Sequence, residues 1–226
     1  ECADLAVKRL QAKRQLGDKL CALEVERLVR RVNSWLNEEK QRAPFSVLDQ
    51  EKTLNLQLEG LQLQLRIDRI DCLSDGKTLA VIDYKTGLTS LSNWQLPQLD
   101  EPQVPLYATA LPNVGAAVFA QVNTKAMRFV GLADMPSLFG DITSVSESRD
   151  WPDNFQTLLG EWQADLHATA KAFVDGRAEV APKKAQVCQW CDLHSFCRVG
   201  ENLAFDGSSE SAAEITADNY SSRSPL

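Results

Sequence analysis

From Leu61 to Gly87 the chain reads LQLQLRIDRIDCLSDGKTLAVIDYKTG, and this stretch admits little besides two strands joined by a tight turn. Leu61, Leu63, Leu65 and Ile67 alternate with polar residues, the period of a strand with one buried face. Ser74-Asp75-Gly76 suits the positive backbone angles of a turn between strands. The second strand is expected over Thr78 to Lys85. Asp68 falls out of phase with the leucines, so it is expected to point away from the face they bury. Asp83 and Lys85 are two apart and project to one face, while Ile82 and Tyr84 project to the other.

Two carboxylates and one amine at the end of such a hairpin form a chemically loaded site. Asp68 and Asp83 are hard oxygen donors of the kind a magnesium-type ion takes, an ion that keeps several waters and is often shared with phosphate. Such an ion activates water and offsets charge on a phosphodiester in its transition state. Lys85 is placed to stabilise that charge or to orient the attacking water. Spacing alone favours a surface hairpin whose Asp68, Asp71, Asp83 and Lys85 are solvated or salt-bridged, pairs that contribute little to stability.

Asp68, then Asp83-Tyr84-Lys85-Thr86-Gly87, then Gln103-Val104-Pro105-Leu106-Tyr107-Ala108 together resemble the RecB/AddB-type nuclease domain of the PD-(D/E)xK superfamily. The resemblance implies an α/β fold with a restriction-endonuclease-like core, a mixed central β-sheet flanked by helices. It implies that Asp68, Asp83 and Lys85 are the catalytic residues, with Asp68 and Asp83 also binding metal, and that Gln103 and Tyr107 support the site or the DNA strand. On residues alone, Asp100 with Gln103 also fits a helix cap. Glu51, at the start of the preceding strand, occupies a place where such nucleases carry an acidic residue near the metal; its other reading is a solvent-facing charge.

The activity implied is Mg²⁺- or Mn²⁺-dependent, exonuclease-like hydrolysis of DNA in repair or recombination, alongside a helicase subunit or domain, in the cytoplasm. Two other readings stay open: a DNA-binding or scaffolding module that no longer cuts, and a CRISPR-associated relative. The family usually has a histidine on a helix upstream of the strands, whereas His167 and His194 both lie downstream. Either that segment lies outside the chain or part of the site has been lost.

Cys188, Cys191 and Cys197 read as Cys-x-x-Cys followed by five residues and Cys, soft ligands suited to zinc or an iron-sulfur cluster. They resemble the C-terminal cysteines of AddB-type nucleases, which hold a 4Fe-4S cluster with one distant upstream cysteine. Cys2, Cys21, Cys72 and His194 are available as a fourth ligand, but Cys72 follows the first site strand and Cys21 falls in a helix, so neither of those two is an obvious match. The bland alternative is three reduced thiols.

At 226 residues, 44% of them apolar and 24% charged, the chain fits one globular domain with appended elements, and no apolar run approaches a membrane span. It opens Glu1-Cys2-Ala3 and its methionines are Met127 and Met135, so it reads as an excised piece of a longer protein. A net charge of −7 does not advertise a nucleic-acid binder, but residues 1–42 carry ten Lys or Arg against seven Asp or Glu. The acidity gathers partly in the tail.

The expected organisation is a helical region over 1–45, a nuclease core over 46–186, a cysteine-rich staple over 187–198 and a flexible acidic, Ser-rich tail over 199–226. Helices are expected from about Ala3 to Leu16 and from Lys19 to Glu39, the second with Asp18 as N-cap and an apolar face of Val25, Leu28, Val29, Val32 and Leu36. Trp35 beside that face reads as packing. Strands are expected over Val47–Leu58, Ala116–Val122 and Ala126–Leu132, then a loop to Trp151. A helix follows, carrying the stripe Phe155, Leu158, Leu159, Trp162, Leu166 and Phe173, and Asp175-Gly176 ends it. His167 reads as a helix-surface residue.

Overall fold

A computed structural model describes residues 1–14, 16–135, 142–183, 187–188 and 191–198. The expected tail lies outside them, as do Gln189 and Trp190 of the cysteine segment. The chain divides into two compact units, Glu1–Val174 and Asp175–Leu226.

The first unit opens with α1, Cys2–Arg14, and α2, Asp18–Glu39. Asp18 is not the N-cap of α2: that position is Gly17, extended and without a side-chain cap. Asp18 is instead the first helical residue and accepts a hydrogen bond from Gln11 Nε2 at 3.2 Å. The apolar stripe on α2 is also less buried than its period suggests. Val29, Val32 and Leu36 stay exposed, and the residue that α2 buries is Trp35.

The chain then enters a six-stranded sheet ordered β1-β2-β3-β4-β5-β6. The strands are β1 Phe45–Leu58, β2 Leu61–Leu73, β3 Leu79–Lys85, β4 Val114–Val122, β5 Met127–Ala133 and the short β6 Thr143–Ser144. β6 falls inside the segment expected to be loop. Ladders β1/β2, β2/β3 and β4/β5 are antiparallel; β3/β4 and β5/β6 are parallel. The mixed α/β architecture with flanking helices is thus the one expected.

Parallel β3 and β4 require a crossover, and residues 86–113 supply it. They cover one sheet face through a 3₁₀ turn at Leu91–Trp94 and the helix α3, Gln103–Thr109. The long α4, Phe155–Val174, joins that face. Its Phe155, Leu158 and Trp162 pack with Trp94, Val104, Tyr107, Val81, Ala117 and Phe119 in the main core. Trp94 and Trp162 are fully buried, their rings 5.7 Å apart, and Trp162 Nε1 donates to the Trp94 carbonyl at 3.2 Å. Phe173, counted in the α4 stripe by its spacing, is exposed.

The other face is covered by α2. Trp35 packs with Ala80, Ile82, Val118, Ala120 and Phe129. Alternation along β3 and β4 therefore divides the two cores as a pleated sheet must: Val81, Ala117 and Phe119 face one, Ala80, Ile82, Ala116, Val118 and Ala120 the other.

In the second unit, Arg177 pairs with Glu179 at 2.7 Å, and a short helix, α5, spans His194–Cys197. Among the described residues no helix is long and apolar enough to cross a membrane.

Candidate active site

The hairpin brings the two aspartates close. β2 and β3 are paired as far as Arg69 with Ile82, and one step further along the same register come Asp68 and Asp83. Ile67 and Ile70, three apart, both join the main core, so strict alternation breaks around Asp68. Asp68 Oδ2 accepts the Tyr84 N–H at 2.9 Å, and its charge reaches Asp83. Ile82 and Tyr84 do face away from Asp83 and Lys85, towards Trp35, whose ring lies 5.9 Å from that of Tyr84.

Asp83 is only 2% exposed. Burial pushes its carboxyl above the usual carboxylate range; Lys85 opposes the rise, and the charges of Asp68 and Glu101 add to it. Lys85 Nζ stands 2.9 Å from Asp83 Oδ2, close enough for an ion pair but off the direction of a hydrogen bond, and that buried oxygen has no hydrogen-bond partner among the described residues. Burial also disfavours the Lys85 charge, but Asp83 and Glu101 outweigh it and hold the ammonium pKa above the ordinary lysine value.

The crossover delivers the next residues. Gln103 does not cap α3, whose N-cap is Pro102 with no side-chain bond. Gln103 Oε1 instead accepts from Lys85 Nζ at 2.8 Å, while its Nε2 donates to the Tyr107 hydroxyl at 2.8 Å. Tyr107 in turn donates to the Arg66 carbonyl at 2.8 Å. The lysine is thereby tied, through one helix face, back to β2. Beyond Lys85 the chain is fastened by β4. Fully buried Gln121 accepts from the Thr89 amide at 2.9 Å and hydroxyl at 3.1 Å, and Asn123 Nδ2 donates to the Thr86 carbonyl at 2.7 Å.

Asp68 also lines a cleft of about 330 Å³ with Gln50, Glu51, Arg69 and Tyr84. Glu51 is exposed and pairs with Arg66 Nε at 2.6 Å. Its φ of 51° is a left-handed backbone within a strand, opposite the Asp68 position.

Beneath the cleft lies a charged network that no motif announced. Asp71, fully buried, takes Arg69 Nε at 2.7 Å and Arg42 Nη2 at 2.8 Å, and Glu39 takes Arg42 Nη1 at 2.9 Å and Arg69 Nη1 at 2.7 Å. Arg69 Nη1 also donates to the Tyr84 hydroxyl at 3.0 Å. Asp71 is thus salt-bridged, but in the interior. The advance sign was four charged residues, Arg66, Asp68, Arg69 and Asp71, in one strand, the last three close to the apolar Ile67 and Ile70.

A model of the PD-(D/E)XK nuclease superfamily matches residues 1–198. The chain belongs to the PD-(D/E)XK nuclease superfamily. A search of curated protein sequences finds no match. Members of this superfamily are usually nucleases and typically use Mg²⁺ or Mn²⁺. Asp68 and Asp83 fit such an ion: both are hard oxygen donors, and the buried Asp83 oxygen lacks a directed hydrogen bond. Among the described residues no three His, Cys, Asp or Glu side chains converge as a metal cage. The expected cluster at Cys188, Cys191 and Cys197 therefore finds no support. His167, on α4, pairs with Glu59 at 2.7 Å on the surface, away from these strand ends.

Proposed function

We propose that the chain is the nuclease domain of a RecB/AddB-type protein, a metal-dependent deoxyribonuclease of the exonuclease kind acting in DNA repair or recombination beside a helicase. The observation that carries the reading is the meeting of Asp68, Asp83, Lys85 and Gln103 at adjacent strand and helix ends within a chain of this superfamily. Asp68 and Asp83 would hold a Mg²⁺ or Mn²⁺ ion, which when bound would supply an activated water and offset charge on the scissile phosphate. Glu51 stands on the same cleft as a further acidic group towards that ion.

Lys85 is fixed by Gln103 so that its ammonium faces the reacting phosphate, where it stabilises developing negative charge. Gln103 and Tyr107 serve by holding that amine in place, since both of their polar ends are engaged. The anionic strand is drawn in by local field rather than net charge, with the basic residues of the N-terminal helices as the nearest source in sequence.

The test is cleavage of end-labelled linear single- and double-stranded DNA with Mg²⁺ or Mn²⁺ by the native chain and by Lys85→Ala. Removing an electrostatic stabiliser of this kind costs about 10²–10³ in rate. The expected result is loss of that size with an unchanged far-UV spectrum. Equal cutting by both chains would refute the assignment of Lys85.

A further inference from the structure

Glu101 lies outside every motif noted above, yet its Oε1 is 3.5 Å from Lys85 Nζ. The segment that carries it is built for placement. The amides of Asp100 and Glu101 both donate to the Asn93 carbonyl, at 3.0 and 3.2 Å, and Asn93 Nδ2 donates to Glu101 Oε2 at 3.5 Å. The adjacent Trp94 is locked in the core, its ring 4.6 Å from that of Phe119. From α4, the Asp165 carboxylate accepts the Gln98 amide at 2.9 Å and the Leu99 amide at 3.4 Å.

Among the described residues the Lys85 ammonium has a neutral hydrogen-bond partner, Gln103, the Phe119 ring at 5.6 Å, and two anionic partners, Asp83 at 2.9 Å and Glu101 at 3.5 Å. The oxygen it occupies on Asp83 is the one that lacks a directed hydrogen bond. A divalent cation and an ammonium compete for that oxygen and repel each other. A cation held on that oxygen displaces the ammonium from it while the bond to Gln103 keeps the amine in the site, and Glu101 is the second carboxylate within reach.

We propose that Glu101 is a positioning residue that receives the Lys85 ammonium when a divalent cation takes Asp83, so that the lysine stays in the site and its displacement costs less. The inference rests on the metal-dependent nuclease reading of Asp68, Asp83 and Lys85. It assigns Glu101 to the lysine rather than to the cation.

The experiment is titration of Mn²⁺ into the full chain, with free ion read by its electron paramagnetic resonance signal, for the native protein, Glu101→Gln, Lys85→Met and the double variant. Glu101→Gln is expected to weaken Mn²⁺ binding about fivefold in the native background, the scale of a partly exposed ion pair. In the Lys85→Met background, where no ammonium remains to be received, the loss is expected to be smaller by at least about threefold. Glu101→Asp, which keeps the charge but withdraws it by one methylene, is expected to show the same pattern with a smaller loss, and it replaces Glu101→Gln if that variant does not fold. Equal losses in both backgrounds would overturn the inference and make Glu101 a ligand or a simple field charge. No loss in either background would overturn it too. Mn²⁺ binding that Asp83→Asn leaves unweakened would instead overturn the underlying site reading.

Discussion

Asp75 and Asp83 sit on one hairpin and carry opposite electrostatics. Asp75 is exposed in the turn, where its carboxylate accepts from the Thr78 hydroxyl at 2.5 Å and from the Lys77 and Thr78 amides at 3.0 and 2.9 Å. The Thr78 hydroxyl first, then the two amides, hold its pKa down at about 2, against an ordinary 3.8. A carboxyl depressed in the folded state contributes stability above its unfolded pKa and loses it as pH falls through the folded one. Asp75→Ala is therefore expected to lower the thermal midpoint at pH 7, with the gap to the native chain narrowing between about pH 4 and pH 2. A gap that stays constant in thermal scans across that range would show that the turn holds by backbone geometry alone. Asp83 has the reverse sign: its raised pKa means that the ionised form is disfavoured by folding. A neighbouring cation relieves that.

At the scale of elements, β4 and β5 approach closely at Gly131. A Cβ added at Gly131 would lie 2.4 Å from the Ala117 carbonyl oxygen and 2.8 Å from Val118 Cα, both backbone atoms that cannot swing aside. Gly131→Ala is expected to destabilise by about 1–3 kcal/mol, the cost of overpacking, readable as a lower urea midpoint. A midpoint equal to the native one would mean that the ladder shifts freely. The strands and long helices were legible because their apolar periods are long: the β2/β3 hairpin, β4, β5 and α4 all stand where the pattern puts them. The Asp83, Lys85 and Gln103 meeting was legible only through motif order, since nothing in local spacing says that a crossover returns Gln103 to the end of β3. Two points were misjudged. Asp18 looks like a capping residue locally, but Gly17 takes that position and Asp18 accepts from Gln11 instead. The α2 stripe has the right period for burial, yet the sheet offers it room for little more than Trp35.

Across the whole first unit, α2 is joined to the sheet by charge as well as by Trp35. Asp71 serves two guanidiniums, and Glu39 serves the same two from the helix end. Burial disfavours the Arg69 charge, but hydrogen bonds to Asp71 and Tyr84 outweigh it and hold its pKa above the usual arginine value. Asp71→Ala would leave Arg42 and Arg69 facing each other in the interior, and removing one partner of such a pair costs about 3–5 kcal/mol. Equilibrium unfolding should show that loss, and a change below about 1 kcal/mol would mean that Glu39 alone neutralises both. The parallel ladder between β3 and β4 has a further consequence, for the order of events as the protein is made. A growing chain that has reached Thr86 already carries Asp68, Asp83 and Lys85, but not Gln103, Tyr107 or the strand whose Gln121 stands beside Lys85 in register. Until β4 has emerged, the β2/β3 ribbon lacks its parallel neighbour and the crossover that covers Asp83. A site of this topology is complete only after β4 has been made, so a chain that stops short of it carries Asp68, Asp83 and Lys85 without the partners that hold them.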